Sequence, residues 1–380
     1  MNARHSRRQL LAAGLALPAI SSPLLARKSR AASGEGKRLL VLGGTRFLGP
    51  AVVDEALRRG YEVTLFNRGK SNPHLYPDLE KLRGDRDTGD LDALEGGEWD
   101  YVVDTSAYLP AHAAHAGEVL ADRIEHYVVI STLSVYADTG GKVIDEESPV
   151  GKISEEQEAQ VTSIGQVMSV AGGAYYGPLK ARCEEELEFQ MPGRVTSLRP
   201  GVIAGREDPS DRLPYWAIRV EQGGEILAPG HPDRGVYFTD VRDLGIFSLD
   251  FAEQGLGGIY NANGFDGKVS MQEMLHGCKA VVGSNCSFTW IDDEAWLLER
   301  QVRPYVEMPF WLPDASKPTW DNSKGIAAGM RFRPIAETIR ETVDWFHEER
   351  DESYRWRVYG MQPEREQELL AAWHASREEG

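Results

Sequence analysis

The sequence is poor in cysteine and has no excess of positive charge. Three cysteines occur among 380 residues, and 42 lysines and arginines face 59 aspartates and glutamates, which gives a formal net charge of −17. An odd cysteine count excludes a full disulfide framework, and Cys183, Cys278 and Cys286 lack metal-ligand spacing, so we expect no metal site. Binding a polyanion requires clustered lysine and arginine, so the charge argues against a nucleic-acid partner.

The sequence also begins with an apolar run too short to span a bilayer, "QLLAAGLALPAISSPLLA". This run follows Arg7 and Arg8 and precedes small residues, which is the order of an export signal. "SRRQLL" resembles a twin-arginine signal, so residues 1–32 are predicted to address a folded, cofactor-loaded protein to the export machinery and the periplasm. The alternative is a basic tail, which leaves the protein cytoplasmic.

From residue 37 the sequence alternates between short strands and helices. Runs of β-branched and aliphatic residues predict strands covered on both faces, and "PAVVDEALRRG" predicts a helix that ends at Gly60. This alternation predicts an α/β fold, a Rossmann-type doubly wound parallel sheet. The predicted strands are 38–42, 62–66, 101–104, 126–131 and 195–200.

The rhythm breaks after Pro200, where the chain becomes rich in glycine, proline and aspartate. We therefore predict a nucleotide-binding domain and a smaller C-terminal substrate lobe. The nucleotide-binding domain is assigned to 37–200 and completed by about 236–262 and 334–349; the lobe is assigned to 201–235 and 263–330, and an acidic helical tail to 350–380.

A glycine-rich turn, "GGTRFLG", follows the first predicted strand. Such a turn directs free backbone N–H groups and the positive end of the next helix at a pyrophosphate. The turn is therefore predicted to bind a dinucleotide through Gly43, Gly44, Thr45, Arg46, Phe47, Leu48 and Gly49.

Tyr176 and Lys180 lie four residues apart in "YYGPLKARCEEE", so on a helix they share one face. An ammonium beside a phenol lowers the tyrosine pKa from about 10, which suits a general acid/base at a carbinol. In "YVVISTLSVYAD", Ser131, Thr132 and Ser134 end a predicted strand at the sheet edge where ligands bind. A hydroxyl there can hydrogen-bond the substrate oxygen while Tyr176 moves its proton.

Together, "GGTRFLG", "ISTLSVY", "YGPLK", "LRPG" and "DVRDLG" resemble the extended short-chain dehydrogenase/reductase superfamily, in its NAD(P)-dependent epimerase/dehydratase group, over about 37–349. The resemblance implies that Thr132 is the strand-end hydroxyl, Tyr176 the acid/base and Lys180 the residue that binds the nicotinamide ribose. Dimerisation through two sheet-flanking helices is common in the superfamily, so a homodimer is consistent with the resemblance. Further implied cofactor contacts are Asp85 near the adenine and Thr105, Ser106 and Ala107 after the fourth strand.

The second predicted strand ends without the acid that usually binds the ribose 2′-hydroxyl of NAD. Asn67 and Arg68 stand there instead, and Arg46 can reach the same edge of the adenosine ribose. Guanidinium groups match a 2′-phosphate, so we expect NADP(H) in preference to NAD(H), with NAD(H) as the alternative.

The resemblance implies hydride transfer at a carbinol of a sugar or sugar-like substrate, with the cofactor recycled internally. Nucleotide-sugar enzymes of the group carry an arginine where this chain has Val236, with Arg234 nearby, which argues against a nucleoside diphosphate. The acidic insertion "ISEEQEAQVTSIGQ" is either a lid or a solvated surface helix. Substrate contacts are predicted at Tyr108, Ser134, Tyr215 and Trp216.

Two other classes of function remain open. One is a net NADP-dependent reductase or dehydrogenase with exchangeable cofactor. The other is a non-catalytic Rossmann protein that senses nucleotides or binds RNA, as chloroplast stem-loop RNA-binding proteins with similar "GGTR" loops do. The Tyr176–Lys180 pair argues against a sensor, and the charge of −17 against RNA. His112 and His231 are expected to be structural.

Overall fold

The computed structural model describes residues 34–169, 173–265, 267–313, 318–350, 354, 356 and 358–378. The export signal expected in residues 1–32 lies outside these described residues. Within the described ranges, no helix combines the length and the apolar character required to cross a membrane.

A parallel sheet forms the centre of the described chain and confirms the predicted α/β class. Its first strand is fully buried from Leu39 to Leu42, because helices cover both faces of the sheet. The chain moves outward in both directions from this strand, so ligands are expected at the carboxyl ends of the strands beside it. In spatial order the strands are β12 (Gly258–Ala262), β7 (Val195–Pro200), β5 (His126–Ile130), β4 (Tyr101–Asp104), β1 (Arg38–Leu42), β2 (Glu62–Asn67) and β3 (Glu80–Arg83).

Two pairs of helices cover the sheet. α1 (Leu48–Arg59) packs on α7 (Val241–Gln254) on one face, and α2 (Pro110–Leu120) packs on α5 (Tyr176–Gln190) on the other. α1 ends at Gly60, whose φ of 85° is the left-handed conformation that favours glycine at a helix end.

The other helices and strands complete the described chain. The remaining helices are α3 (Glu155–Glu158), α4 (Ile164–Val167), α6 (Arg212–Glu221), α8 (Met271–Val282), α9 (Glu294–Glu299), α10 (Ser323–Ala327), α11 (Ile335–Glu349) and α12 (Pro363–Glu378), with 3₁₀ turns η1 (Arg86–Thr88), η2 (Asp92–Leu94) and η3 (Leu133–Val135). The paired short strands are β6 (Val143–Ile144) with β15 (Thr319–Trp320), β8 (Ile203–Ala204) with β11 (Thr239–Asp240), β9 (Glu225–Pro229) with β14 (Ser287–Ile291), and β10 (Gly235–Val236) with β13 (Val269–Ser270).

A second apolar core forms around α6, α8, β9 and β14. α11 was expected to complete the nucleotide-binding domain, but it packs on α6 and α8 through Ile339, Val343 and Phe346. The amphipathic pattern of α11 predicts which of its faces is buried, but it does not predict which element packs on that face. The acidic tail also joins this core, because α12 buries Leu369 and Trp373 there.

Candidate active site and cofactor groove

A groove of about 490 Å³ opens at the carboxyl ends of β1, β2, β3, β4 and β5. This is the edge where parallel sheets of this topology bind ligands. Two of the sequence-predicted cofactor residues lie behind its wall: Gly49 packs on the turn and Ala107 is fully buried. The predicted cofactor residues that line the groove are Gly43, Gly44, Thr45, Arg46, Phe47, Leu48, Asn67, Arg68, Asp85, Thr105, Ser106 and Lys180.

The glycine turn after β1 fits a dinucleotide. Gly43 has a φ of 114°, and a methyl group at this position would lie 2.3 Å from the Oγ1 of Thr105. A methyl at Gly49 would lie 2.6 Å from the backbone carbon of Gly44, so α1 can approach the turn only through glycine. Phe47 makes no side-chain capping bond, which leaves the positive end of α1 open to the phosphates of the cofactor.

Two arginines, Arg46 and Arg68, also line the groove. Arg46 is exposed and makes no ion pair with any other residue of the described ranges. The Nη1 of Arg68 lies 4.0 Å from Asp85 and 3.8 Å from Asp87, and its side chain is 41% exposed. Asn67 supports the turn instead, because its Nδ2 donates to the carbonyl oxygen of Gly43 at 3.0 Å.

Tyr176, Thr132 and Lys180 converge at the catalytic end of the groove. Tyr176 is the first residue of α5, and Thr132, the residue that caps η3, lies close enough to lower the pKa of its phenol. Gly177 allows this approach, since a methyl there would lie 1.9 Å from the carbonyl oxygen of Ser134. The structure therefore brings the predicted catalytic residues together.

The pKa of Tyr176 is shifted in the direction opposite to the one expected. Burial and the neighbouring Tyr108 raise the pKa of Tyr176 above its ordinary value of 10, and the hydrogen bond with Thr132 only partly opposes this. Lys180 donates instead to the carbonyl oxygens of Ala107 and Ile130, each at 2.5 Å, and burial lowers its pKa. The expected lowering of the Tyr176 pKa by Lys180 is therefore not found in this structure, where burial raises that pKa and Lys180 is bound to backbone carbonyls.

The predicted substrate residues separate into two groups. Tyr108 lines the groove, with its ring centroid 6.3 Å from that of Tyr176 and 5.3 Å from the Nζ of Lys180. Ser134 is exposed and contributes its backbone N–H to Thr132 at 3.1 Å. The assignment of Tyr215 and Trp216 is corrected: both are fully buried in the core around α6. Their aromatic surface packs the lobe and is not available to a substrate.

The model of the NAD dependent epimerase/dehydratase family matches residues 39–262. The chain belongs to this family. It is accordingly an NAD(P)-dependent enzyme of the epimerase and oxidoreductase type, as the resemblance in the sequence predicted.

Relatives of this epimerase/dehydratase family member include the chloroplast stem-loop binding protein of 41 kDa b of Arabidopsis thaliana, 28% identical over 212 residues, which are 50% of this chain and 52% of that protein. A Synechocystis protein named provisionally as a dihydroflavonol 4-reductase is 23% identical over 80% of this chain and 93% of its own. Similar solved structures include WbmH of Bordetella bronchiseptica in complex with NAD⁺ (TM-score 0.57, 17% identity, 82% of this chain and 99% of that one). A UDP-N-acetylglucosamine 4-epimerase of Methanobrevibacter ruminantium is also similar (TM-score 0.59, 17% identity, 82% and 98%).

In this family member the groove is supported by a buried charge network that the sequence analysis missed. Arg86 donates to Asp104 at 2.8 and 2.9 Å and to the carbonyl oxygen of His112 at 2.7 Å, and Tyr127 donates to Asp104 at 2.7 Å. Burial alone would raise the pKa of Asp104, but Arg86 and Tyr127 hold it below its usual range. The available signal was Asp104 itself, a carboxylate at the end of the apolar run "YVVD".

The acidic insertion of the enzyme lies against the catalytic end of the groove. Val161 and Val167 are buried in an apolar cluster that includes Tyr108 and Tyr176, and Ile164 lines the groove. α3, by contrast, buries no residue. The part of the insertion around Val161 and Ile164 covers the groove as a lid would, whereas α3 is a surface helix.

Proposed function

We propose that this enzyme transfers a hydride at a substrate carbinol, with Tyr176 as acid/base and NADP(H) as the preferred cofactor. The observation that carries the proposal is the position of Tyr176, beside Thr132, in a groove that Arg46 and Arg68 also line. A bound nicotinamide supplies the hydride acceptor and donor.

Three residues of this chain divide the remaining chemistry. Tyr176 takes the proton from the carbinol oxygen, or returns it, and Thr132 hydrogen-bonds the same oxygen. The hydrogen bond from Thr132 stabilises the phenolate, the form that burial disfavours. Lys180 is held against the backbone behind the site by two carbonyl oxygens and orients the nicotinamide ribose.

The cofactor preference rests on the two arginines at the adenosine end. Arg46 and Arg68 are both exposed, and Asn67 occupies the end of β2 where an acid would bind the 2′-hydroxyl of NAD. Planar guanidinium donors engage phosphate oxygens in pairs, so a 2′-phosphate fits between them. The weak contacts of Arg68 with Asp85 and Asp87 can be exchanged for this stronger interaction.

The substrate we propose is a sugar or sugar-like carbinol without a nucleoside diphosphate, and the hydride returns to the same molecule. The epimerases among the structural relatives support the reaction type. Arg234 donates to the carbonyl oxygen of Leu312 at 2.8 Å and pairs with Glu294, while Val236 is buried. Neither residue is therefore positioned to grip a diphosphate in this structure.

Internal recycling agrees with an exported enzyme, because a protein outside the cytoplasm is separated from the soluble nicotinamide pool. We therefore propose that residues 1–32 direct export. Replacing Arg7 and Arg8 by lysine should leave the protein in the cytoplasmic fraction, whereas unchanged export would contradict the signal.

Tyr176→Phe tests the proposed chemistry. The NADPH-loaded protein is offered a panel of sugar-like secondary alcohols and their ketones, and deuterium transfer from labelled cofactor to product is measured. We expect the variant to bind NADPH normally and to lose about 10²- to 10⁴-fold in rate. Tyr101→Phe is the matched control, because Tyr101 lies at the amino end of β4 and the groove at the carboxyl ends of the strands. Full activity of Tyr176→Phe would overturn the proposal.

A further inference from the structure

Residues 151–169, here called the cover segment, rest on the catalytic end of the groove. Val161 and Val167 of this segment pack with Leu109 and Leu179, beside the ring of Tyr176. Because these contacts are apolar and continuous with the groove wall, the position of the cover segment sets how much of the catalytic end is open.

One carboxylate, that of Asp87 next to the groove-lining residue Arg86, fixes the cover segment. The Oδ1 of Asp87 accepts a hydrogen bond from the backbone N–H of Ile164, the first residue of α4, at 3.0 Å. Ser163, which caps α4, makes no side-chain capping bond. Asp87, from a distant part of the chain, therefore satisfies an amide that the helix leaves open.

The same carboxylate lies beside Arg68, which lines the groove. Its Oδ2 lies 3.8 Å from the Nη1 of Arg68, and its Oδ1 lies 3.1 Å from the Nε2 of the buried His112. Burial lowers the pKa of His112 to about 4, so this ring is neutral near pH 7. Arg68 is thus the cationic partner of Asp87 at neutral pH.

We propose that Asp87 is a positioning residue that holds the cover segment over Tyr176, and that the 2′-phosphate of NADP(H) tightens this closure. A phosphate draws Arg68 away, since charge-assisted phosphate contacts are stronger than an exposed pair at 3.8 Å. The carboxylate is then no longer pulled toward Arg68 through its Oδ2, and its Oδ1 holds the amide of Ile164 more firmly. NAD(H) lacks that phosphate, so with NAD(H) bound Arg68 stays paired with Asp87. The inference rests on the proposed NADP(H) site.

Hydrogen exchange of the full-length protein tests the inference. Exchange is measured by mass spectrometry for peptides from 151–169, with saturating NADPH or saturating NADH. We expect exchange about two- to fivefold slower with NADPH in the wild type, the range set by an exposed ion pair. Asp87→Ala should exchange faster than wild type, and equally fast with either cofactor.

Asp87→Asn separates the hydrogen bond to Ile164 from the ion pair with Arg68. The amide oxygen of asparagine still accepts from the N–H of Ile164, but the side chain has no charge to attract Arg68. We expect slow exchange that is identical with both cofactors. Asp92→Asn, an exposed acid in η2, should behave as wild type. Equal exchange with NADPH and NADH in the wild type would overturn the coupling, and wild-type exchange in Asp87→Ala would overturn the positioning role.

Cofactor affinities measured on the same samples distinguish this inference from the proposed function. Equal affinity of the wild type for NADPH and NADH would remove the NADP(H) preference, whatever the exchange rates show. Preference for NADPH without a difference in exchange would leave the proposed function standing and remove the inference.

Discussion

Gly177 packs so closely on Ser134 that a methyl group in its place would lie 1.9 Å from the Ser134 carbonyl oxygen. This contact joins the start of α5 to the turn after β5. It therefore sets the distance between the phenol of Tyr176 and the hydroxyl of Thr132, the neighbour that lowers the pKa of that phenol.

Gly177→Ala should separate these two groups. A displacement of about 1 Å at a catalytic group can cost on the order of 10²-fold in rate, and forced overpacking costs about 1–3 kcal/mol of stability. Turnover and the free energy of unfolding are measured together. Gly96→Ala, where an added methyl meets nothing, is the control. Normal turnover in Gly177→Ala would show that the contact does not position Tyr176.

The double variant Arg46→Gly with Arg68→Asp should shift the cofactor preference toward NAD(H). It removes both guanidinium groups and restores an acid near the ribose 2′-hydroxyl. A hydrogen bond to a charged group contributes about 1.5–3 kcal/mol, so the affinity ratio of NADPH to NADH should fall at least about tenfold. Both dissociation constants are measured by fluorescence titration, with Arg377→Asp on α12 as control. An unchanged ratio would leave Arg46 without a role at the cofactor.

Asp104→Ala should destabilise the fold by about 3–5 kcal/mol, because it leaves Arg86 buried without its partner. The exposed Asp92→Ala should change stability by less than about 0.5 kcal/mol. Chemical denaturation measures both. A loss below about 1 kcal/mol for Asp104→Ala would contradict the network described here.

The pH dependence of this difference follows from the lowered pKa of Asp104. A carboxyl whose folded pKa lies below its unfolded value of about 3.9 contributes its full stability above that value and loses it as the pH falls. The stability gap between wild type and Asp104→Ala should therefore be constant near neutrality and shrink below about pH 4.

Glu366→Ala tests whether α12 belongs to the fold. Glu366 is buried, accepts a hydrogen bond from the backbone N–H of Leu227 at 3.0 Å and pairs with Arg219 at 2.5 Å. Removing it should cost about 3–5 kcal/mol, since a half-buried guanidinium and a buried amide lose their partner. Glu364→Ala, exposed on the same helix, should be nearly neutral. Equal effects of the two variants would show that α12 is dispensable.

Local pattern predicted five of the seven strands of the central sheet, all but β3 and β12. β1, β4 and β7 have the bounds predicted for them, because both faces of these strands are buried. β3 was missed, since the edge strand "EKLR" is short, charged and buries none of its residues. The pairing of Thr132 with Tyr176 followed from the topology, which places the end of β5 beside the start of α5.

Contacts between distant segments could not be predicted from the sequence. Tyr215 and Trp216 have the composition of a ligand platform, yet α6 is buried on nearly every side and uses both rings as core. Asp87 carries no local signal either, because its partners Ile164, Arg68 and His112 come from three separate parts of the chain. Whether a side chain is buried, and which residues it contacts, depends on how distant segments pack. No fixed spacing in a single sequence reveals either.

Both proposals require a nicotinamide dinucleotide in the groove that Arg46 and Tyr176 line. Denaturing protein purified without added nucleotide, and identifying what is released by mass spectrometry, tests this directly. We predict NADP⁺ or NADPH in near-stoichiometric amount. Release of NAD(H) alone would contradict the role of the arginines. An empty protein that shows no saturable binding of NADPH would contradict the account itself.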